Sequence, residues 1–399
     1  MALRLKLRSI LLLQNRRRFS TSILNPNSNT PLTSKEKSRA ALSLLRAEKN
    51  PERILDICRA ASLTPESHLD RVAYSKAISK LRDLNYFNGI RSFVEESMAR
   101  PDMKSERYIS HFVVLYGQAG MVADARKTFE EMHEMGLDRT VKTLNALLFS
   151  CVLAKDYKEM KRIYMEYPKI YGIVPNLDTY NTVIKGFCES GESSSCYSIL
   201  AEMGRKGVKP NGTTFGTMIA GFYEEEKFED VGKVLKMMKE EHSITPGTSI
   251  YNIRIQKLCK LKRSREAKAL FESILSRGYK PNKVTYYHLI HGFCKEGDLE
   301  EAKGLFERMV KSGIKPEGEC YFTLVYFLCT GEDFEAALKI CKECLAKGWV
   351  PNFTTMKLLV EGLASISKVD EAKEIIGHLK KEFSANADRW TEIEEGLTK

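Results

Sequence analysis

Apolar residues recur along most of this chain at helical spacing, in stripes too short for long helices. Tyr180, Val183, Ile184 and Phe187 stand at i, i+3, i+4 and i+7, which is one face of an α-helix. Ala302, Leu305, Phe306 and Met309 repeat that spacing on what the pattern predicts as a second helix. Gly120, Gly191 and Gly297 fall between paired stripes, where the chain must turn. Gly136, Gly207, Gly278, Gly313 and Gly348 follow second stripes, at the left-handed position beyond a helix where glycine meets no Cβ penalty. Pro210, Pro281, Pro316 and Pro351 come three residues after four of these and prevent the helix from continuing.

The pattern is periodic. Residues 177–211 (LDTYNTVIKGFCESGESSSCYSILAEMGRKGVKPN) align with residues 248–282, 283–317 and 318–352. Carried backwards, the phase gives eight repeats at 71–105, 106–140, 141–176, 177–211, 212–247, 248–282, 283–317 and 318–352, each 35 or 36 residues long. Residues 353–387 keep the helical stripes without the terminal Gly and Pro, as a degenerate ninth repeat. Residues 35–70 read as a degenerate leading helix pair, and 388–399 as a C-terminal tail. A fixed period of this size means an all-α solenoid: one helix pair cannot bury its own apolar face, but stacked pairs share a continuous core.

The charge is uneven. The chain has 399 residues and a formal charge of +11. Its first 34 residues contain Arg4, Lys6, Arg8, Arg16, Arg17 and Arg18, and no carboxylate before Glu36. A basic, Ser-containing, acid-free start reads as an organellar transit peptide. Arg17-Arg18-Phe19-Ser20 resembles a mitochondrial processing site, so residues 1–19 are expected to be removed and 20–34 to form a disordered linker. The matrix is preferred over a plastid. Losing those six cations takes the charge from +11 to +5. No apolar run approaches the roughly 18 residues of a membrane span. Ten cysteines in a chain of this length and a reducing compartment imply free thiols.

The Thr-Tyr-Asn start, Gly-Phe-Cys centre, Ala…Phe…Met spacing and Gly-x-Lys-Pro-Asn end resemble the pentatricopeptide repeat, of the P type found in plant organelles. The resemblance covers 71–352 well and 353–387 weakly. It implies a right-handed superhelical solenoid of about eight to ten paired antiparallel helix units. It also implies single-stranded RNA on the concave face, one base per repeat, read by the fifth and last residues. The pairs Asn145/Asn176, Asn181/Asn211 and Asn252/Asn282 match that arrangement, and Asn at both places resembles a preference for pyrimidines. An amide both donates to and accepts from a base edge; Asn at a helix start is equally a capping residue. Lys260 and Lys295 hold the thirteenth place, which in the family approaches phosphate. Ser75/Ser105, Ser110/Thr140, Gly216/Gly247, Tyr287/Glu317 and Phe322/Asn352 depart from the pattern, so a long sequence-specific footprint is not expected.

Other chemistry is sparse. Cys341 and Cys344 have zinc-like spacing but occupy the places of Phe306 and Met309, so they are expected in the core. His288 and His291 lack a third ligand in view. No metalloprotease, phosphate-loop or nucleophile-elbow motif occurs, so neither an enzyme nor a cofactor is expected. The short, mostly off-pattern array resembles the plant mitochondrial members that associate with ribosomes. Its expected partners are ribosomal RNA or mRNA and mitochondrial ribosomal proteins, not a membrane. Two other readings stay open: a transcript-specific stabilisation, processing or splicing factor, and a helical-repeat scaffold that binds proteins.

Overall fold

The computed structural model describes residues 23–24, 32–61, 68–382 and 386–397. The expected transit peptide, 1–19, lies outside the described residues. Among the described residues every regular element is helical.

Two compact halves divide at Pro210. The first holds α1 (Ser34–Ala47) with α2 (Pro51–Ala61), α3 (His68–Asp83) with α4 (Phe87–Met98), α5 (Glu106–Gln118) with α6 (Val122–Glu130), α7 (Val141–Leu153) with α8 (Tyr157–Ile170), and α9 (Leu177–Glu189) with α10 (Cys196–Arg205). The second holds α11 (Gly212–Glu224) with α12 (Phe228–Glu240), α13 (Thr248–Lys260) with α14 (Ser264–Ser276), and α15 (Lys283–Glu296) with α16 (Leu299–Lys311). It continues with α17 (Gly318–Thr330) and α18 (Phe334–Leu345), then α19 (Phe353–Ser365) and α20 (Val369–Glu382), and ends with α21 (Ala387–Gly396).

Each half has two layers. First helices pack on first helices, in the order α3, α5, α7, α9 and in the order α11, α13, α15, α17, α19. Second helices such as α8, α14, α16 and α18 lean on the first helix of their own pair and of the next. Tyr180, Val183, Ile184, Ala302, Leu305, Phe306 and Met309 are buried. Phe187 is not, although it shares the stripe; its ring lies half-exposed under the Lys161 ammonium, 5.4 Å from the ring centre. Gly186 and Cys188, on either side of it, take the buried places instead. Two first helices approach closely at Gly117 of α5, where a Cβ would stand 2.3 Å from the Ser150 Cα in α7. Ser150 is held there by donating to the Val113 and Ala146 carbonyls at 2.7 and 2.8 Å.

The turns are uniform. Between paired helices the backbone enters the left-handed region at Gly120, Gly191 and Gly297, with φ of 76–81°. Other pairs make the same turn with Asn85, Lys155, Glu226, Lys262, Glu332 and Ser367, at φ of 55–62°. Those side chains tolerate the strained region because the flanking helices fix the turn. After the second helices, Gly136, Gly207, Gly278, Gly313 and Gly348 take positive φ.

Ion pairs recur along the second-helix edge. Arg91 meets Asp124 at 2.6 Å, Lys268 meets Glu301 at 2.6 Å, Lys303 meets Asp333 at 2.7 Å, and Lys342 meets Glu374 at 2.7 Å. Each joins one repeat to the next. Residues 388–399, read as a tail, lie largely in α21, whose buried Trp390 sits 4.7 Å from the Phe353 ring.

Candidate nucleic-acid interface

Residues five, nine and thirteen of a repeat lie one turn apart on its first helix and form a ridge. In the second half three such ridges are Asn252–Gln256–Lys260 on α13, Tyr287–His291–Lys295 on α15 and Phe322–Tyr326–Thr330 on α17. In the first half Asn145, Phe149 and Leu153 stand in the same places on α7. The buried stripes lie on the other side of each helix, so these ridges face away from the core.

Two of the expected Asn pairs are physically joined. Asn145 Nδ2 donates to Asn176 Oδ1 at 3.1 Å, and Asn252 Nδ2 donates to Asn282 Oδ1 at 3.3 Å. Each last-residue Asn is also the N-cap of the following helix. Asn176 Oδ1 accepts from the Thr179 N–H at 3.0 Å, and Asn282 Oδ1 accepts from the N–H groups of Val284 and Thr285 at 3.0 and 3.1 Å. The loop closes through threonine: Thr179 Oγ1 donates to Asn145 Oδ1 at 2.6 Å, and Thr285 Oγ1 donates to Asn252 Oδ1 at 2.7 Å. Capping and the joining of the fifth residue to the last are therefore parts of one network. Backbone donors at the cap fix which end of each terminal amide is oxygen, so the Nδ2 groups of Asn176 and Asn282 point elsewhere and find no partner among the described residues. Asn211 caps α11 in the same way, accepting from the Thr214 N–H at 3.0 Å. Asn181 is half-buried on α9.

Thr179 and Thr285, both buried, were not singled out by sequence reasoning. Their signal was present: a threonine three residues after the last-place Asn, Asn176 or Asn282, in each case.

Lys260 and Lys295 are exposed on the last turns of α13 and α15, and no carboxylate pairs with either among the described residues. The neighbouring Lys257 does pair, with Glu224, whose carboxyl is held below the usual range by that hydrogen bond and further by Lys257 and Lys260 charge. His288 and His291 are pushed below the ordinary imidazole range, chiefly by burial; His291 and Lys260 add to this at His288, and Lys295 at His291. Both shifts favour the uncharged ring.

In the first half the first-helix face opens into a cavity of about 790 Å³ whose lining includes Arg71, Ser110, His111, Gln118, Lys142 and Phe149. Gln118 Nε2 is committed to the Ser75 carbonyl and to the Ser75 and Ser79 hydroxyls at 2.8–2.9 Å. Ser110 Oγ and His111 Nε2 are buried without a hydrogen-bond partner among the described residues. Burial, and then the Arg71 charge, pulls the His111 pKa down to about 4.

The cysteines pack as expected. All ten are buried free thiols; Cys341 Sγ lies 3.8 Å from Met356 Sδ, and Cys344 Sγ donates to the Trp349 carbonyl at 3.3 Å. Burial raises the Cys341 thiol to about 12. Among the described residues no three His, Cys, Asp or Glu side chains gather as a metal site, and no helix is long and apolar enough to cross a membrane.

Family models for the pentatricopeptide repeat match residues 110–189, 175–224, 213–243, 249–279 and 277–310. A mitochondrial pentatricopeptide repeat-containing protein of Arabidopsis thaliana is 50% identical over 368 residues, 92% of this chain and 91% of that protein. This chain belongs to the pentatricopeptide repeat family. Mitochondrial placement, expected from the leader, is shared with that relative. A second Arabidopsis thaliana relative of this pentatricopeptide repeat protein, the small ribosomal subunit protein mL103, is 29% identical over 96% of the chain and 93% of its own length. The small ribosomal subunit protein mS78 of the same plant is 30% identical over 48% of the chain and 49% of its own length. Among solved structures, the pentatricopeptide repeat protein PPR10 in complex with an 18-nt psaJ RNA element aligns at 19% identity with a TM-score of 0.49. It covers 88% of this chain, and the chain spans 58% of that protein.

Proposed function

We propose that this pentatricopeptide repeat protein binds single-stranded RNA through its first-helix face and works on the mitochondrial ribosome, holding ribosomal RNA or mRNA during translation. The observation that carries RNA binding is the pair of amide networks at Asn145/Asn176 and Asn252/Asn282. Each fixes two amides in a defined direction before any ligand arrives, and each keeps an unpartnered Nδ2 for a base edge. Preorganised donors cost little ordering on binding. Lys260 and Lys295 stand ready for phosphate at the far end of their ridges. Asn181 and Asn211 belong to the same reading set.

Ribosome association draws on the relatives named as ribosomal subunit proteins. It also suits an interface in which most repeats lack a reading pair, since a partner already held by neighbouring proteins needs less sequence recognition. We assign no catalytic residue and no cofactor.

Ultraviolet crosslinking of the tagged protein in purified mitochondria, followed by sequencing of the attached RNA, tests this. Reads concentrated on ribosomal RNA, with co-sedimentation of the protein and ribosomal particles, are the expected result. Reads on one messenger or intron instead make it a transcript-specific factor. Absence of crosslinked RNA removes the RNA reading and leaves a protein scaffold.

A further inference from the structure

We propose that the two repeats carrying an aromatic fifth residue form a base-stacking platform for single-stranded RNA, bordered by Lys260 and Lys295; this rests on the RNA-binding reading above. The packing duty of aromatics in these repeats is filled by other residues. Tyr286 and Tyr321 are each 1% exposed and meet Phe271 and Phe306 edge-on at 5.3 Å. Tyr287 and Phe322, one residue on, are surplus to that core and stand half-exposed on the ridge face.

There Tyr287 joins further rings. Tyr287 lies 5.8 Å from His291 at a shallow 36°. His291 meets Phe327 of the next first helix edge-on at 6.5 Å, and Phe327 meets Tyr326, 41% exposed, at 5.2 Å. The cluster bridges α15 and α17 and has open faces. Neutral His291 offers a π surface rather than a charge.

An apolar partner would not need the two exposed lysines beside these rings, whereas a polyanion with flat bases uses both. Every nucleobase has a π face, so stacking here is tolerant of sequence. The adjacent Asn252/Asn282 pair reads one base; the platform holds the bases that follow without reading them. The off-pattern fifth residues thus supply affinity in place of specificity.

The test uses the full chain and three fluorescein-labelled twelve-nucleotide strands: oligo-rU, oligo-rA and an abasic ribose-phosphate strand of the same charge. Tyr287→Ala/His291→Ala is expected to lose about tenfold in affinity for rU and rA alike, the range seen for one lost stack. The ratio of rU to rA affinity stays as in the wild type, and abasic binding is unchanged. That unchanged abasic binding shows that the Ala variant keeps its fold, and Tyr287→Phe/His291→Phe is expected to keep wild-type affinity. Wild-type binding of rU and rA with the Ala variant within twofold overturns the platform while the RNA reading stands. A Phe variant as weak as the Ala variant also overturns stacking. A wild-type chain that binds none of the strands overturns both.

Discussion

Asn282 has two roles that two substitutions separate. Its Oδ1 accepts from the Val284 and Thr285 backbone N–H groups, from Thr285 Oγ1 at 3.1 Å and from Asn252 Nδ2. Its Nδ2 faces away, where a base edge is proposed to sit. Asn282→Ala removes both roles. Loss of an N-cap costs about 1 kcal/mol, and for a cooperative half of this size that lowers Tm by about 2–4 °C. Asn282→Asp keeps an oxygen at the cap and adds a negative charge at the N-terminus of α15, which the helix dipole favours by some tenths of a kcal/mol. It also replaces the outward Nδ2 donor with an acceptor. Stability should therefore follow the oxygen: Ala melts lower, Asp melts with the wild type or slightly above it. Base preference should follow the nitrogen, so that both variants change the order in which short RNA homopolymers bind. Thermal melts and fluorescence anisotropy on the same three proteins read the two effects. An Asp variant melting as low as Ala would refute the cap geometry. An Asp variant with wild-type base preference would refute base reading at this position.

Other perturbations test other parts. Gly117→Ala should destabilise the first half by about 2–3 kcal/mol, because the new methyl meets the Ser150 backbone, which cannot rotate away; a melt equal to wild type sinks that packing. A Cβ at Gly278 meets no atom within 4 Å, yet the φ of +80° costs a β-branched residue about 1–2 kcal/mol, so Gly278→Val should lower Tm through backbone strain. His111 titrates near 4 when folded against an ordinary 6.5, so the unfolded chain takes up a proton first. The contribution is fully present above pH 6.5 and lost as pH falls towards 4, to a limit of about 3 kcal/mol; His111→Asn should flatten that part of a urea-stability profile, and an unchanged profile would reject it. Lys260→Ser/Lys295→Ser should reduce the slope of log affinity against log salt by about 1.4 on single-stranded RNA, and an unaltered slope would move the phosphate contacts elsewhere.

The helical layers were legible because the signal repeats. Gly278, Gly313 and Gly348 mark the same turn in successive repeats, and a stripe such as Ala302–Met309 has one physical solution once it must be stacked. Phe187 shares the apolar spacing but not the burial, because Gly186 and Cys188 beside it take the buried places, a shift that periodicity does not encode. Lys155, Lys262 and Glu332 take positive φ without the glycine that announces it, since tertiary packing overrides local preference there. The joined pairs Asn145/Asn176 and Asn252/Asn282 fall at places that the family resemblance had marked. Their fusion with the caps was not legible, because it needs Thr285 Oγ1 to reach the preceding repeat. Tyr287 and Phe322 looked like defects in a reading pattern until the neighbouring Tyr286 and Tyr321 were found holding the core.

The charged contacts between successive second helices bear on mechanics. Arg91–Asp124, Lys268–Glu301, Lys303–Asp333 and Lys342–Glu374 each act as a weak spring between adjacent repeats, on the edge opposite the proposed RNA ridge. Exposed pairs of this kind contribute about 0–1 kcal/mol apiece and fade with salt. In a stacked array the junction terms decide whether neighbours open together or one at a time. Raising ionic strength would soften every such junction at once while leaving the apolar seams intact. The chain would then flex more freely along its length without coming apart, so its compliance is a quantity that the ionic surroundings tune.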